Sequence, residues 1–542
     1  MRVGIIELTR NTPCKGWADR LYTSYFRKQY ASIMPQAVAV WCRQLGHQVF
    51  YATYYGQKDP RSLLPDHLDV VFVASYTYAS ALAYALAKLF RREKTLTVIG
   101  GPHAKSFPGD CLRFFDLVVK DCDRTLIDDI LRGHFDPPAI ITSGRPLTDF
   151  PSVEERMPEI VTSAFYRGKP GLTSFVPLLA SVGCPYKCDF CVDWNNQYVA
   201  LPGERLEADL RYLSENFPRL LVAYHDPNFG VRFDETMDII ETIPEKRRNG
   251  YLMESSLSIL KESRLERLRR TNCVFVAPGV ESWTDYSNKA GVGAKVGRDK
   301  LEQVVDHFHR LGQYVAGQQA NFVFGTDADR GRDPVELTKE FIRRLPSVWP
   351  AVLIPTPLGG TPLYDKCLAE GRILKSMPFT FYLNFYLVIT LTNYHPIEYY
   401  DHLIDIISVI TSKGMLVRRL LTKSHPVVRL IHTLRAFAAR EELAEYRRIR
   451  KMLATDAQFR AFHEGRSDAL PEFYHWRYEQ RLGPYAELIS RAERIPVLDE
   501  TVLPTASTPA TIVKPVTDPA LDTAPALSPE VLRIRRLRAQ EG

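Results

Sequence analysis

The 542-residue chain is predicted to be an α/β protein: a doubly wound parallel sheet, then a partial parallel barrel, then a helical C-terminal region. Three observations predict this. Short, almost wholly apolar runs alternate with helical patterns over the first 145 residues. The alternation resumes after a proline-rich connector, and it stops near Lys366. Strands apolar on both sides need helices on both faces, which parallel βα units supply.

The first domain (residues 1–145) reads as strand 3–8, helix 34–45 closed by Gly46, strands 47–51 and 69–75, an alanine-rich helix 79–90, and strands 97–101 and 115–120. That alternation is Rossmann-like, and such sheets take ligands at the carboxyl ends of their strands. Pro137, Pro138, Pro146, Pro151 and Pro158 mark the exit. Within 146–365, runs at 178–182, 220–224, 251–257, 274–278, 314–324 and 351–355 give six βα-type repeats, a (β/α)6 partial barrel rather than a second open sheet. Residues 366–500 read as mostly helical. Residues 501–542, rich in Pro, Thr and Ala, are expected to be disordered apart from a short helix at 529–540.

Composition narrows the function. Hydrophobic residues at 45% and charged residues at 25% are ordinary for a soluble globular protein. A net charge of +7 over this length does not argue for nucleic acid. Basic residues thicken between Lys413 and Lys451, which reads as a solvated helical face or as a contact surface for an anionic partner or membrane. No signal peptide or transmembrane segment is expected. The opening apolar run meets Glu7 and then Arg10, and 379–391 is interrupted by Asn384 and Thr390. Nine cysteines in such a chain imply reduced thiols and a cytoplasmic location, where clustered cysteines bind metal more often than they pair.

Three of them cluster. Cys184, Cys188 and Cys191 follow the first expected barrel strand with the spacing C-x3-C-x2-C. At this cysteine content the spacing arises by chance in about 0.3% of chains, so the thiols are read as working together. Structural zinc takes four ligands, usually from two C-x-x-C pairs. Cys14, Cys42, Cys111, Cys122, Cys273 and Cys367 form no second pair. Three thiolates on one tight loop suit a cubane cluster with one iron left open for chemistry.

Cys184-Pro185-Tyr186-Lys187-Cys188-Asp189-Phe190-Cys191 resembles the signature of the radical S-adenosylmethionine (SAM) superfamily, C-x3-C-x-Φ-C. The resemblance implies a [4Fe-4S] cluster whose open iron is chelated by the methionyl group of SAM, and one-electron cleavage to methionine and a 5′-deoxyadenosyl radical. It also implies that Phe190 lies near the adenine. Further matches over about residues 1–365 resemble the branch that carries a cobalamin-binding domain. Tyr224-His225-Asp226-Pro227-Asn228-Phe229 is similar to that branch's Asp-rich turn. Asp226 there accepts from a ribose hydroxyl or the methionyl ammonium, or simply caps the turn before Gly230. Gly279-Val280-Glu281-Ser282 resembles the family's G-V-E-S, which implies Glu281 near the cofactor. The segment 356–364 resembles the Gly/Pro turn that ends the barrel, a structural role. His225 is a proton donor, a ligand or a turn histidine bonded to a carbonyl. Tyr186, Trp194 and Tyr198 pack around the cysteine loop or cover the barrel mouth.

The N-terminal domain resembles the cobalamin-binding domain incompletely. That pattern runs D-x-H-x-x-G, S-x-L, G-G. Ser75 and the pair Gly100-Gly101, followed by Pro102 and His103, stand for its second and third elements, small residues that let a large ring approach closely. The first element is missing, because the loop from Thr9 to Gly16 holds no histidine for the lower face of cobalt. Either cobalamin binds with that face free, or the fold is kept and the ligand lost. Cys14 is a cobalt ligand or a loop thiol.

The resemblance as a whole implies a radical SAM enzyme using a [4Fe-4S] cluster, SAM and cobalamin. Its reaction would be methyl transfer to an unactivated carbon of a small molecule, lipid or peptide, with electrons from an external donor such as flavodoxin or ferredoxin. The rivals are a radical rearrangement, cyclisation or oxidation without cobalamin and, from another class, a zinc or iron–sulfur scaffold or electron carrier. The region from Lys366, carrying Tyr382, Tyr386, Tyr394, Tyr399 and Tyr400, is expected to help close the barrel mouth.

Overall fold

In strand β1 (Arg2–Leu8) every side chain after Arg2 is buried, on alternate sides of a sheet. Val3 and Ile5 join one apolar core with Ala37, Trp41 and Leu126. Ile6 and Leu8 join another with Leu82, Leu86 and Phe90. Two cores on two faces are what a doubly wound sheet requires. The computed structural model describes residues 1–498, apart from 15, 26–30, 145–146, 148, 172–173 and 384, together with 512–513.

The sheet continues with β2 (Gln48–Tyr54), β3 (Val70–Ser75), β4 (Leu96–Gly100), β5 (Leu117–Val119) and β6 (Ala139–Ile141), in the parallel order 2-1-3-4-5-6. The order reverses between β1 and β3, which makes their carboxyl ends the ligand crevice of this fold. β6 was not read from the sequence, because three apolar residues after Pro137-Pro138 look like connector. Ile512–Val513 add one more parallel strand beside β6, within the segment expected to be disordered. The rest of that segment, with its expected helix at 529–540, lies outside the described residues.

The second sheet is the partial barrel: β7 (Phe175–Leu178), β10 (Leu221–Tyr224), β11 (Tyr251–Met253), β12 (Cys273–Val276), β14 (Gly317–Val323) and β15 (Val348–Leu353), all parallel and paired in that order. Two-residue strands β8 (Ser181–Val182) and β9 (Val199–Ala200) form an antiparallel ribbon at the base of the cysteine loop. A short β13 (Gly279–Glu281) pairs with β14. The first barrel strand therefore ends at Leu178 instead of running from 178 to 182. Pro177 is tolerated because β7 is an edge strand.

The C-terminal helices are Pro396–Thr411, Lys413–Leu420, Pro426–Thr455, Ala457–His463 and Glu472–Leu482. Tyr382, Tyr386, Tyr394, Tyr399 and Tyr400 are all buried. Rather than offering rings to a ligand at the mouth, they pack the helices onto the barrel: Tyr399 stacks on Phe324 and donates to its carbonyl at 2.6 Å. The domains are packed tightly too. A Cβ at Gly359 would meet the Ser106 carbonyl at 1.8 Å, and Phe107 stacks on Phe379. Among the described residues no helix is long and apolar enough to cross a membrane.

Candidate active site

The cysteine loop is held at its root. Gly183 takes φ +70°, and a Cβ there would lie 2.1 Å from the Gln197 carbonyl, so only glycine admits the ribbon that launches Cys184. Asp226, at the end of β10, is fully enclosed. One carboxylate accepts from the Ala180 N–H at 3.0 Å and from Ser181 Oγ at 2.6 Å. Those bonds pull residues 180–181 out of the barrel ladder, which explains the early end of β7. Burial raises the Asp226 carboxyl to about 6 despite these donors.

The far side of the loop is fastened by later elements. Tyr286 donates to Asp189 Oδ1 at 2.6 Å and stacks against Phe190 at 5.8 Å. The Leu363 N–H donates to the Asp189 carbonyl, and Trp194 Nε1 to the Gly360 carbonyl at 2.7 Å. The Gly/Pro turn that ends the barrel is thus a clasp on the loop. Tyr186 bonds Ser258 Oγ at 2.5 Å.

Cys184 is buried, and Cys188 and Cys191 are half-buried. Burial pushes the Cys188 and Cys191 thiols up, and the Lys289 ammonium opposes it. Lys289 feels all three sulfurs and lies 3.7 Å from Glu281. Among the described residues no three Cys, His, Asp or Glu side chains converge on a single-ion site. A cubane spreads its thiolates over separate irons, so the two geometries differ.

A cavity of about 440 Å³ opens beside the loop inside the barrel, walled by Phe190, Asn228, Glu254, Glu281, Lys289 and Asn321, among others. Glu281 sits at φ +65°, where the pairing of β13 with β14 slips register. Strain of this kind persists where surrounding structure enforces it, commonly at functional sites. Glu254 is enclosed by the barrel yet exposes its surface to the cavity. Burial raises both carboxyls, and Lys289 draws both down. Asn228 is 2% exposed, and its Nδ2 has no partner in the structure. A buried amide of that kind is available to donate to an acceptor in the cavity.

Of the residues singled out in the sequence, Phe190 and Glu281 line this cavity, while Asp226 lies behind it as an anchor. Asn228, Glu254 and Lys289 were missed. Asn228 stands inside a recognised turn, but Glu254 follows the end of β11 and Lys289 sits in a short turn at 288–290, neither with a local motif. The His225 ring is lowered to about 4 by burial and by Arg156, so it is neutral, and its backbone N–H bonds the Leu178 carbonyl.

The carboxyl ends of the first sheet are different. Ser75 is buried and donates to the Tyr76 carbonyl. Gly101, at φ +93°, packs on the Ser75 backbone, where a Cβ would lie 3.2 Å away; at Gly100 a Cβ would make only ordinary contact, 3.9 Å from the Val119 carbonyl. His103 is fully buried, bonded to Tyr84 at 2.6 Å, and Tyr84 donates to Asp110. Cys14 is half-buried beside Thr23 and the Tyr55 carbonyl, a loop thiol. Glu7, unremarked in the sequence as a site residue, is buried near the end of β1 with Oε2 unpartnered, and burial raises it to about 7.

A cysteine loop above a six-stranded parallel barrel, beside a partly open polar cavity, fits a cluster-based radical enzyme. Residues 178–325 match the radical SAM superfamily profile. It is 25% identical over 401 residues to the bacteriochlorophyllide d C-8(2)-methyltransferase of Chlorobaculum tepidum, covering 69% of this chain and 84% of that protein. Its fold is similar to that of the radical SAM methyltransferase TsrM of Kitasatospora setae (TM-score 0.53, 11% identity, 83% of this chain and 99% of that one). It is similar also to the cobalamin-dependent radical enzyme OxsB (TM-score 0.55, 10% identity, 90% and 79%).

Proposed function

We propose that this chain is a cobalamin-dependent radical SAM methylase acting on an unactivated carbon of a small molecule. The observation that carries the reading is Lys289, which feels all three thiols of the cysteine loop and lines a cavity also walled by Phe190, Asn228, Glu254 and Glu281. The donor set fits a cluster: Cys184, Cys188 and Cys191 would hold it, and the Lys289 ammonium offsets the thiolate charge. When bound, the cluster and SAM supply a hydrogen-abstracting radical, and cobalamin supplies the methyl group. The chain's own residues orient and exclude. Phe190 offers a flat apolar wall for an adenine, Glu281 and Glu254 accept from ammonium or hydroxyl groups, and Asn228 Nδ2 donates. Asp226 acts through the loop root.

For cobalamin, Ser75, Gly100 and Gly101 would form the floor, since small side chains leave the strand ends bare. No histidine serves the lower face there, because His103 is spent on Tyr84. The similarity to a bacteriochlorophyllide d C-8(2)-methyltransferase of Chlorobaculum, and to TsrM and OxsB, both of which bind cobalamin, supports the same reading. The enzyme would work in a reducing cytoplasm with flavodoxin or ferredoxin as electron donor.

Anaerobic reconstitution tests this. The expected result is an iron–sulfur EPR signal that shifts on adding SAM, retained corrinoid absorption, and label from methyl-labelled SAM in a product. 5′-Deoxyadenosine formation without bound corrinoid would favour rearrangement or oxidation chemistry, the reading that the buried His103 supports. Zinc without iron would sink both.

A further inference from the structure

Fourteen large hydrophobic side chains are exposed among the described residues, and seven of them lie between Val417 and Phe437. This segment is a helical hairpin: the helix Lys413–Leu420, a five-residue link, and the first turns of Pro426–Thr455. Val417, Leu420 and Leu421 expose their side chains on the first arm and the link. On the second arm Val427, Leu430, Leu434 and Phe437 recur at spacings of three and four, one stripe of a helix. The opposite stripe (His432, Ala436, Ala439 and Leu443) is buried against the protein. Arg429 Nη1 donates to the Leu420 carbonyl at 3.0 Å and holds the arms side by side. The helix is thus apolar on two faces, and only one has protein cover.

Charge selects what the other face meets. From Ser412 to Arg440 the chain carries seven Lys and Arg residues and no Asp or Glu. Arg419 and Arg435 turn inward onto Trp349. Lys413, Arg418, Lys423 and Arg440 stay exposed, flanking the apolar stripe, and Arg440 lies over the Phe437 ring. Apolar side chains flanked by basic ones match the boundary of an anionic bilayer, where acyl chains take the first and headgroup phosphates the second. A second copy docking on this face would set like charge on like charge. The chain's own tail would do the same with Arg533, Arg535, Arg536 and Arg538.

We propose that this hairpin docks the enzyme peripherally on an anionic membrane surface, without crossing it. The surface is joined to the catalytic cavity by one side chain: Arg435 donates to Gln319 Oε1 at 2.6 Å, and Gln319 lines the cavity. The inference holds whatever the radical is used for.

The test is co-sedimentation of the full-length, anaerobically reconstituted protein with vesicles of equal parts phosphatidylcholine and phosphatidylglycerol, against phosphatidylcholine alone. The protein should pellet with the anionic vesicles at least about fivefold better, and lose that advantage in high salt. The double variant Leu430→Glu/Phe437→Glu should bind about tenfold more weakly with unchanged iron content and melting temperature. Arg418→Glu/Lys423→Glu, which leaves the apolar stripe whole, should abolish the preference for anionic vesicles. Equal pelleting of wild type and the Leu430/Phe437 variant, or no pelleting of wild type, overturns the proposal. So does a dimer in light scattering that this variant dissolves, which would give the stripe to a second copy.

Discussion

At the barrel, the strand ends and the loops after them set two carboxylates, an ammonium and an unpartnered amide around one cavity, with the three-thiol loop beside it. At the N-terminal sheet, the equivalent ends carry Thr9, Ser75 and Gly100-Gly101, and the nearby histidine is turned into the core. Both sheets obey the same topological rule, which puts a crevice where strands end. The rule says where a ligand lies. What the protein does to it depends on side chains, and those differ: the barrel offers reactive groups, the first sheet offers space and backbone.

The sharpest way to separate the two regions is Cys188→Ala. It should bring 5′-deoxyadenosine formation below about a thousandth of wild type, as loss of a cofactor ligand does. Corrinoid retention, read by absorption of the same sample, should stay unchanged, since the proposed corrinoid site lies on the other sheet. If both fall together, the comparison breaks.

Lys289→Met comes next. It leaves Glu281 buried without its cation, with Lys289 and Glu281 only 16% and 7% exposed. Breaking such a pair should cost about 3 kcal/mol in denaturant unfolding and lower iron occupancy on reconstitution. Gly183→Ala should cost about 2 kcal/mol, because the added Cβ meets backbone at a positive φ. It should also cut cluster occupancy, with little effect on corrinoid binding.

The smallest effect tests the first sheet. The His103 imidazole is lowered from 6.5 to about 3 by burial, so the folded state keeps it neutral while the unfolded chain takes up a proton. Stability from this group is complete above pH 6.5 and falls as pH drops towards 3, by about 1.4 kcal/mol per unit, on the order of 2 kcal/mol by pH 5. His103→Gln should flatten the fall in unfolding free energy between pH 6.5 and 5 by that amount. An unchanged slope would mean that His103 is not held neutral in the core.

Much of the barrel was legible in advance. The spacing of Cys184, Cys188 and Cys191 is local, and six strand-like runs separated by helical patterns predict six parallel strands. The misplaced first strand was not legible. Residues 178–182 are apolar apart from Ser181, but an Asp some 45 positions later takes the hydrogen bonds of Ala180 and Ser181 and bends them away. The five C-terminal tyrosines read as cover for the mouth because aromatic content alone does not distinguish a core ring from a ligand-facing one.

The sequence by itself determined the α/β architecture and the reactive loop, because strand burial, helix period and a three-thiol spacing are properties of neighbours along the chain. Only the tertiary structure decided that Asp226 is an anchor, that Glu254, Glu281 and Lys289 share one cavity, that His103 is spent in the core, and that one stripe of the C-terminal hairpin is left bare. Each of those depends on which strand ends and helix faces meet, and the folded packing sets that.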